Sequence, residues 1–501
     1  LDAGTRERLS GAALREAGWS EPAASAYAAT YFDDAERSFA KRRLAVRIET
    51  VGGARFEVVE RLSRDHSWLG RRRTWRKRTR RDRPTLAGHG GDDLESLLPD
   101  GCPAAELAPA FAIGVDRIAS VSKPKRGVAL GLTIDAGRMS AGRRGRPLVE
   151  LTLALARGAP ADLIEAALGL HRAVAPLVLE PDEVCVRGLR LAAGSDPAPY
   201  RARPLVLEPG WTAEEACKAI LSGGLTQVLA NQACALLGRD IEGLHQLRVG
   251  IRRIRTAFAV LRPLLPRRRR SRFRDGMRML GDATGEAREW DVLLDELIRP
   301  ALADAPRRRG LAALARAAER RRSRAYAHLR RTLAAPEHTD LMLRFMAWLE
   351  EPWAETAKPR LRRELARMMA LHAGPILRAE DHRLHRLGDG LDPADAERLH
   401  RVRLAAKRVR YTTESLVSLV PERAAAAYLE VLKDVQEHFG ASNDAAFAYD
   451  RLVGLRVPGA AKLARELVAR GPSARMAADL REVWARFAAT TPLHVAMGYD
   501  P

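Results

Sequence analysis

The sequence predicts an α+β chain of more than one domain, with a largely antiparallel β region followed by an all-helical region. Three observations predict it. Short alternating apolar stretches crowd the first 193 residues. Long amphipathic helical patterns fill the chain from Trp211 onward. One basic helical segment occurs twice, 155 residues apart. At 501 residues the chain is longer than one ordinary domain, and its 46% hydrophobic content suffices for packed cores.

Residues 1–193 read as one domain. Leu44–Ile48, Phe56–Val59, Val128–Ile134 and Val149–Leu155 alternate as half-buried strands do. Gly52-Gly53 supplies a hairpin turn between the first two. Ala161–Ala175 has helical periodicity, with Asp162 in its first turn. Several strands with few helices predict an antiparallel sheet or barrel. Residues 194–210 hold Gly194, Ser195, Asp196, Pro197, Pro199, Pro204, Pro209 and Gly210, and read as a linker. Residues 211–495 carry no strand pattern. Their Gly- and Pro-broken helices predict bundles.

The repeat is specific. Leu244-His245-Gln246-Leu247-Arg248-Val249-Gly250-Ile251-Arg252-Arg253-Ile254-Arg255 is matched by Leu399-His400-Arg401-Val402-Arg403-Leu404-Ala405-Ala406-Lys407-Arg408-Val409-Arg410. The same offset pairs Arg278 with Lys433, Gly285 with Gly440, and Arg288-Glu289 with Asn443-Asp444. Two similar halves, each of about four helices, follow from one register held over this distance.

On a helix, His245, Arg248, Arg252 and Arg255 share an arc, and Leu244, Leu247, Ile251, Ile254 and Phe258 fill the neighbouring one. His400, Arg403, Lys407 and Arg410 repeat that stripe, with Tyr411 on the same side. Each stripe is about 15 Å long. A solvated basic face is the competing reading. Such a face usually mixes signs for i,i+4 pairing, whereas these stripes contain no acid. Crowded like charges destabilise a fold unless an anion or distant carboxylates compensate. Arginine's fork suits phosphate oxygens, lysine adds a point charge, and histidine donates more strongly when protonated. Asp291, Glu289 and Asp444 read as anchors for basic side chains. Arg267–Arg270 with Arg272 and Arg274 reads as a solvated loop able to extend the cationic surface. Arg71–Arg81 around Trp75 is weak evidence for nucleic acid.

Charge points the same way. The net charge is +22, with 32 Lys and Arg against 26 Asp and Glu in residues 1–200 and 53 against 37 in the rest. A polyanionic partner is expected, mostly for the C-terminal part. Cys102, Cys185, Cys217 and Cys234 form no CxxC pair, which argues against structural zinc and a disulfide framework and fits a reducing cytoplasm. No metal or other cofactor is expected at the stripes, since no ligand set stands at the right spacing. No stretch approaches 18 uninterrupted apolar residues and no signal-peptide pattern opens the chain, so neither a membrane span nor a leader is expected. The chain opens at Leu1 rather than Met, which leaves room for residues upstream.

At these residues the helical region resembles a CHAD domain, whose hallmark is an L-H-x-x-R-[VI]-x-x-[RK]-R-x-R segment in each half and an N-D pair after a Gly. Leu404 departs at the [VI] position. The resemblance implies two four-helix bundles related by a pseudo-twofold axis, with the stripes lining a basic groove that binds inorganic polyphosphate. It implies contacts from His245, Arg248, Arg252, Arg253, Arg255, His400, Arg403, Lys407, Arg408, Arg410 and Lys433, to which the repeat and the helical wheel add Arg278 and Tyr411. Nucleic acid is the weaker alternative, because no recognition helix, zinc finger or RNA-binding sheet is visible.

The N-terminal part more loosely resembles a CYTH domain, the triphosphate tunnel fold, at Tyr31-Phe32-Asp33, Leu44–Arg47, Ile134-Asp135-Ala136-Gly137 and Val149-Glu150-Leu151 with Arg187-Gly188. The family's active positions are eroded. Glu60 and Glu183 replace basic residues, Thr74 and Arg76 flank Trp75 in place of acids, and Glu150, Thr152, Ala154 stand for a strand of three Glu. Triphosphate hydrolysis needs carboxylates to hold a divalent metal, so a catalytically inactive tunnel-like domain is expected and a metal-dependent triphosphatase is the alternative. Arg47 and Arg117 remain as anion-holding or structural residues.

Overall fold

The computed structural model describes residues 14–15, 18–62, 69–70, 73–89, 92–99, 104–122, 127–306, 308, 310–392, 395–470 and 480–499. The chain forms two compact units, Leu1–Ala198 with Leu333–Glu351, and Pro199–Thr332 with Pro352–Pro501.

The first unit is built on seven strands: β1 (Ala23–Asp33), β2 (Leu44–Val51), β3 (Ala54–Arg61), β4 (Arg73–Arg78), β5 (Ala108–Val121), β6 (Ala129–Ala141) and β7 (Arg144–Arg157). They pair antiparallel in the order β4-β3-β2-β1-β5-β6-β7. The sheet is not closed; β4 and β7 are its edges. The Gly52-Gly53 turn is as predicted, and both glycines have positive φ (56° and 82°), which a two-residue hairpin requires. Alternation sorts the faces. Leu44, Val46 and Ile48 join Phe39, Val59 and Trp75 in one apolar cluster. Ala45 joins Tyr27, Tyr31 and Phe111 on the other face. Three strands escaped the sequence reading. Of these, β1 is rich in Ala, a poor strand former; it is held by pairing on both sides, with β2 and β5.

Two helices cover this sheet. Helix α1 (Pro160–Val174) packs Leu170 and Val174 on Leu130, Leu132 and Ile134. Helix α2 (Val184–Ala193) sets Cys185 and Leu191 into the cluster of Tyr31 and Phe111. Gly188 lets α2 come this close, because a Cβ there would lie 2.1 Å from the Phe111 ring.

The linker 195–208 has no regular structure, and helices follow it. They include α3 (Ala213–Ala230), α4 (Gln232–Leu237), α5 (Ile241–Val260), α6 (Arg267–Ala283), α7 (Gly285–Val292), α8 (Leu311–Ala334), α9 (Pro336–Glu350), α10 (Ala370–Gly388), α11 (Ala396–Leu416), α12 (Glu422–Val453), α13 (Ala460–Arg470) and α14 (Leu480–Ala488). A capping box between Thr212 and Glu215 starts α3. Ala213–Leu237 has the length and hydropathy of a membrane span, yet 67% of its most apolar 18-residue window is buried within the protein, as expected of a core helix. Helix α9 belongs to the first unit. It packs on α1, His171 Nε2 lies 2.9 Å from the Pro336 carbonyl, and Thr339 donates to the Leu177 carbonyl at 2.6 Å.

The repeat extends to the secondary structure. Asp240 and Asp395 are the N-caps of α5 and α11. Single 3₁₀ turns follow at Arg262–Leu264 and Val417–Leu419, and Pro266 and Pro421 precede α6 and α12. Every one of these pairs keeps the 155-residue offset. The Arg267–Arg274 run is therefore not a loop: it forms the first two turns of α6, where its counterpart starts α12.

Candidate functional site

Helix α5 inserts its apolar arc into the bundle. Leu244, Leu247, Ile251, Ile254 and Phe258 are all buried, and each such side chain contributes about 1.5–3 kcal/mol. That packing fixes the rotation of the helix, and so sets where the cationic arc lies. Arg248 is half-buried; it donates to the Gly281 carbonyl at 2.9 Å and to Thr284 Oγ1 at 2.7 Å. Arg255 is exposed and lies against Gly281.

Helix α11 repeats the arrangement. Leu399, Val402, Ala406 and Val409 are buried. Arg403 grips Asp444 with both guanidinium arms, at 2.7 and 2.8 Å. Gly440 makes room for it; a Cβ there would lie 2.9 Å from Arg403 Nε. Its counterpart Gly285 also lies beside the counterpart arginine, but a Cβ there would be 3.8 Å from Arg248 Nη1, an ordinary contact.

The two motif helices pack against each other. Arg252 donates to the Tyr411 hydroxyl at 3.3 Å and sits 5.8 Å from its ring centre. Burial, reinforced by Arg403 and Arg252 and also Arg248, pushes the Lys407 ammonium down to about 7. Burial and then Arg252 push Arg248 down to about 10. The His245 imidazole is lowered too, by burial and then by Arg288. Cations from both halves therefore crowd one junction. Arg288 Nη1, beside His245 and Arg248, and Arg403 Nε, beside Lys407, are buried without a hydrogen-bond partner, as is His400 Nδ1 on α11. Among the described residues Arg252 and Lys407 form no salt bridge, although Asp444 attracts Lys407 from a longer distance.

Other residues implied by the resemblance are tied elsewhere. Arg253 donates to Gln227 at 2.9 Å and Glu414 at 3.3 Å, and Arg408 pairs with Glu380. Arg410 pairs with Glu414 at 2.7 Å. Arg278 and Lys433 are exposed and lie 3.8 Å from Asp275 and Glu437 on their own helices. Asp291 is buried, taking Arg322 and Tyr326 at 2.7 Å each, and Glu289 takes Arg451 at 2.6 Å. Those carboxylates, like Asp444, anchor bases. Asp444 takes the anchoring role expected of it, on Arg403; Glu414, one turn beyond Arg410 on α11, was not singled out in the sequence. The Asn443 side chain, Cys102, Arg71 and Arg72 lie outside the described residues.

In the first unit several central cations meet carboxylates. Arg47 bonds Glu49 at 3.0 Å and Glu60 at 2.6 Å, Arg76 bonds Glu49 at 2.9 Å, Arg117 grips Asp135 at 2.7 Å, and Arg187 pairs with Glu150. Arg47 and Arg117 are thus engaged within the sheet, with Arg117 also 3.6 Å over the Tyr27 ring. Trp75 is buried in the apolar cluster rather than offered to a base. Among the described residues no three His, Cys, Asp or Glu converge closely enough to hold a metal.

Comparison with known proteins rests on this geometry. Residues 219–453 match the CHAD domain family. The chain is similar to the crystal structure of the CHAD domain from the plant Ricinus communis, with 30% identity, a TM-score of 0.50, and coverage of 59% of this chain and 98% of that one. It is more distantly similar to PptA from Streptomyces chartreusis, with 18% identity, a TM-score of 0.38, and coverage of 56% and 99%. The third likeness is to a Bacillus halodurans protein described as a candidate adenylate cyclase, at 15% identity, a TM-score of 0.24, and coverage of 36% and 89%. These last two are too remote to carry an argument. No curated protein matches the chain. Both motif helices stand in register and nearly the whole of a 30% identical relative is covered, so the chain belongs to the CHAD domain family.

Proposed function

We propose that the helical unit binds inorganic polyphosphate, without catalysis, through a basic groove lined by α5 and α11. The observation that carries this reading is the junction of the two stripes. Arg248, Arg252 and Lys407 are crowded and partly desolvated there, and burial and their mutual repulsion depress Lys407 to about 7. Like charges about 5 Å apart repel by roughly 3 kcal/mol at an effective dielectric near 20. A fold keeps such a cluster when a ligand supplies the missing negative charge. A phosphate chain does so repeatedly along its length, and arginine forks match its oxygens. Such binding would bring the protein to polyphosphate granules in the cytoplasm.

The test is titration of long-chain polyphosphate by calorimetry against wild type and a variant with Arg248, Arg252, Arg403 and Lys407 changed to Ala. Loss of four charged donors should weaken binding about a hundredfold or more. Equal affinity in a variant whose melting stays cooperative would sink the assignment. Duplex DNA should displace polyphosphate poorly; full displacement at equal phosphate would favour a general nucleic-acid surface.

The first unit, in this reading, is a tunnel-like sheet that has lost catalysis. Arg47, Arg76, Arg117 and Arg187 are each held by a carboxylate of the unit, and those carboxylates are in turn occupied, so these residues offer a triphosphate or a metal little free charge. Incubation with tripolyphosphate and Mg²⁺ or Mn²⁺ should release no phosphate above background. Turnover that scales with protein and is abolished by Glu150→Ala would show that the domain remains an enzyme.

A further inference from the structure

A second basic feature lies on another side of α11. Arg401, Leu404 and Arg408 follow one another at helical spacing about 100° round from Arg403 and Lys407. On the neighbouring helix α10, Arg383, Arg386 and Leu387 share one face. Between the two faces lies an open cleft of about 450 Å³ lined by these side chains and Ala405. Arg383, Arg386 and Arg401 are exposed. Arg408 is held by Glu380 through one arm, while its buried Nε has no hydrogen-bond partner. Leu404 is 53% exposed, which is unusual for a leucine inside a charged motif.

The other half of the molecule is an internal control. At the 155-residue offset, Arg401 corresponds to Gln246, Arg383 to Val228 and Arg386 to Asn231. There the same place is closed. Gln227 bonds Gln246 at 2.8 Å and Arg253 at 2.9 Å, Val228 is buried, and Asn231 bonds both backbone groups of Tyr200 at 2.9 Å. The fold therefore does not need an open, arginine-lined cleft at this position; one half has it and the other fills it.

We propose that the α10–α11 cleft is a second anion site, separate from the paired stripes, that takes a phosphorylated organic molecule. Its size is that of a small-molecule pocket. The phosphoryl groups lie on Arg383, Arg386 and Arg401, whose forks suit them. The organic body rests on Leu387 and Leu404, which a bare phosphate chain would leave uncovered. A soluble nucleotide and a phospholipid headgroup with its adjoining chain offer the same chemistry, and the test separates them.

The experiment compares full-length protein with the variants Arg383→Gln/Arg386→Gln/Arg401→Gln and Leu404→Ser. Probes are ATP, inorganic tripolyphosphate and phosphatidylcholine vesicles containing phosphatidic acid, with long-chain polyphosphate as a reference. ATP, or the vesicles if the source is lipid, should lose about tenfold or more in affinity in the triple variant. Leu404→Ser should weaken the same probe and leave tripolyphosphate unchanged. Long-chain polyphosphate should bind all three proteins alike, so failure here leaves the stripe assignment standing. The proposal is overturned if neither ATP nor the vesicles bind, if the triple variant binds them as wild type does, or if Leu404→Ser changes nothing, which would reduce the cleft to surface charge.

Discussion

Lys407 shows at the residue scale what the site costs the fold. In an unfolded chain it titrates near 10.5; in the folded protein burial and its arginine neighbours bring it to about 7. Between those values the unfolded state binds more protons, so this group makes stability rise with pH across the window. Below about pH 7 the lysine is charged in both states and the full penalty applies. Lys407→Met should therefore stabilise the free protein most near pH 6, with the gain fading toward about pH 10. Urea unfolding at the two pH values checks this; an equal gain at both would mean that the ammonium is well solvated. The stripe residues were legible in the sequence because helical spacing alone places them on one arc. Their compensation was legible in part: Asp444 read as an anchor, though not of which arginine, and Glu380 reaches Arg408 only because its helix packs there. Glu414, one turn beyond Arg410, lies just outside the stripe as read. In the structure part of each stripe is paired, and the excess charge is left at Arg248, Arg252 and Lys407.

At the scale of elements the duplication explains more than the motif helices. It fixes caps, 3₁₀ turns and helix starts at one offset, so differences between equivalent helices stand out as departures from a shared plan. The start of α6 is the largest. Glu422 opens α12, as the helix dipole favours, whereas Arg267–Arg270 open α6 against it. Both helices begin at equivalent residues, so the arginines are not there to make the helix. Arg267→Glu, which copies the second half, should stabilise the protein by about 0.5–1 kcal/mol at low salt, less at high salt. It should also weaken polyphosphate binding if the cationic surface reaches this far. Denaturant midpoints and the calorimetric titration read the two effects separately; a destabilised protein would show that Arg267 makes a contact the dipole argument ignores. Helices with strong apolar periodicity were legible. Strand β1 was not, because five of its eleven residues are alanine and its place is set by pairing with β2 and β5.

At the scale of the whole molecule, contacts and sequence divide the chain differently. The sequence suggests a break at residues 194–210, with everything beyond it helical. Packing returns Leu333–Glu351 to the first unit, so the chain passes between the units three times. No pattern in α9 announces this: its amphipathic face reads like that of any bundle helix, and only its partner, α1, identifies its unit. The apolar face is large, with Leu341, Met342, Phe345, Met346, Trp348 and Leu349 all buried. A fragment cut at the linker, residues 199–501, would carry α9 without α1 and without the bonds of Pro336 to His171 and Thr339 to Leu177. Several side chains worth about 1.5–3 kcal/mol each on burial would then face water. Such a fragment should self-associate on gel filtration. Changing Leu341, Phe345 and Trp348 to polar residues should restore a monomer and leave polyphosphate affinity unchanged, because the stripes on α5 and α11 lie wholly within the second unit. A monodisperse fragment without those changes would mean that α9 finds its apolar cover within residues 199–501.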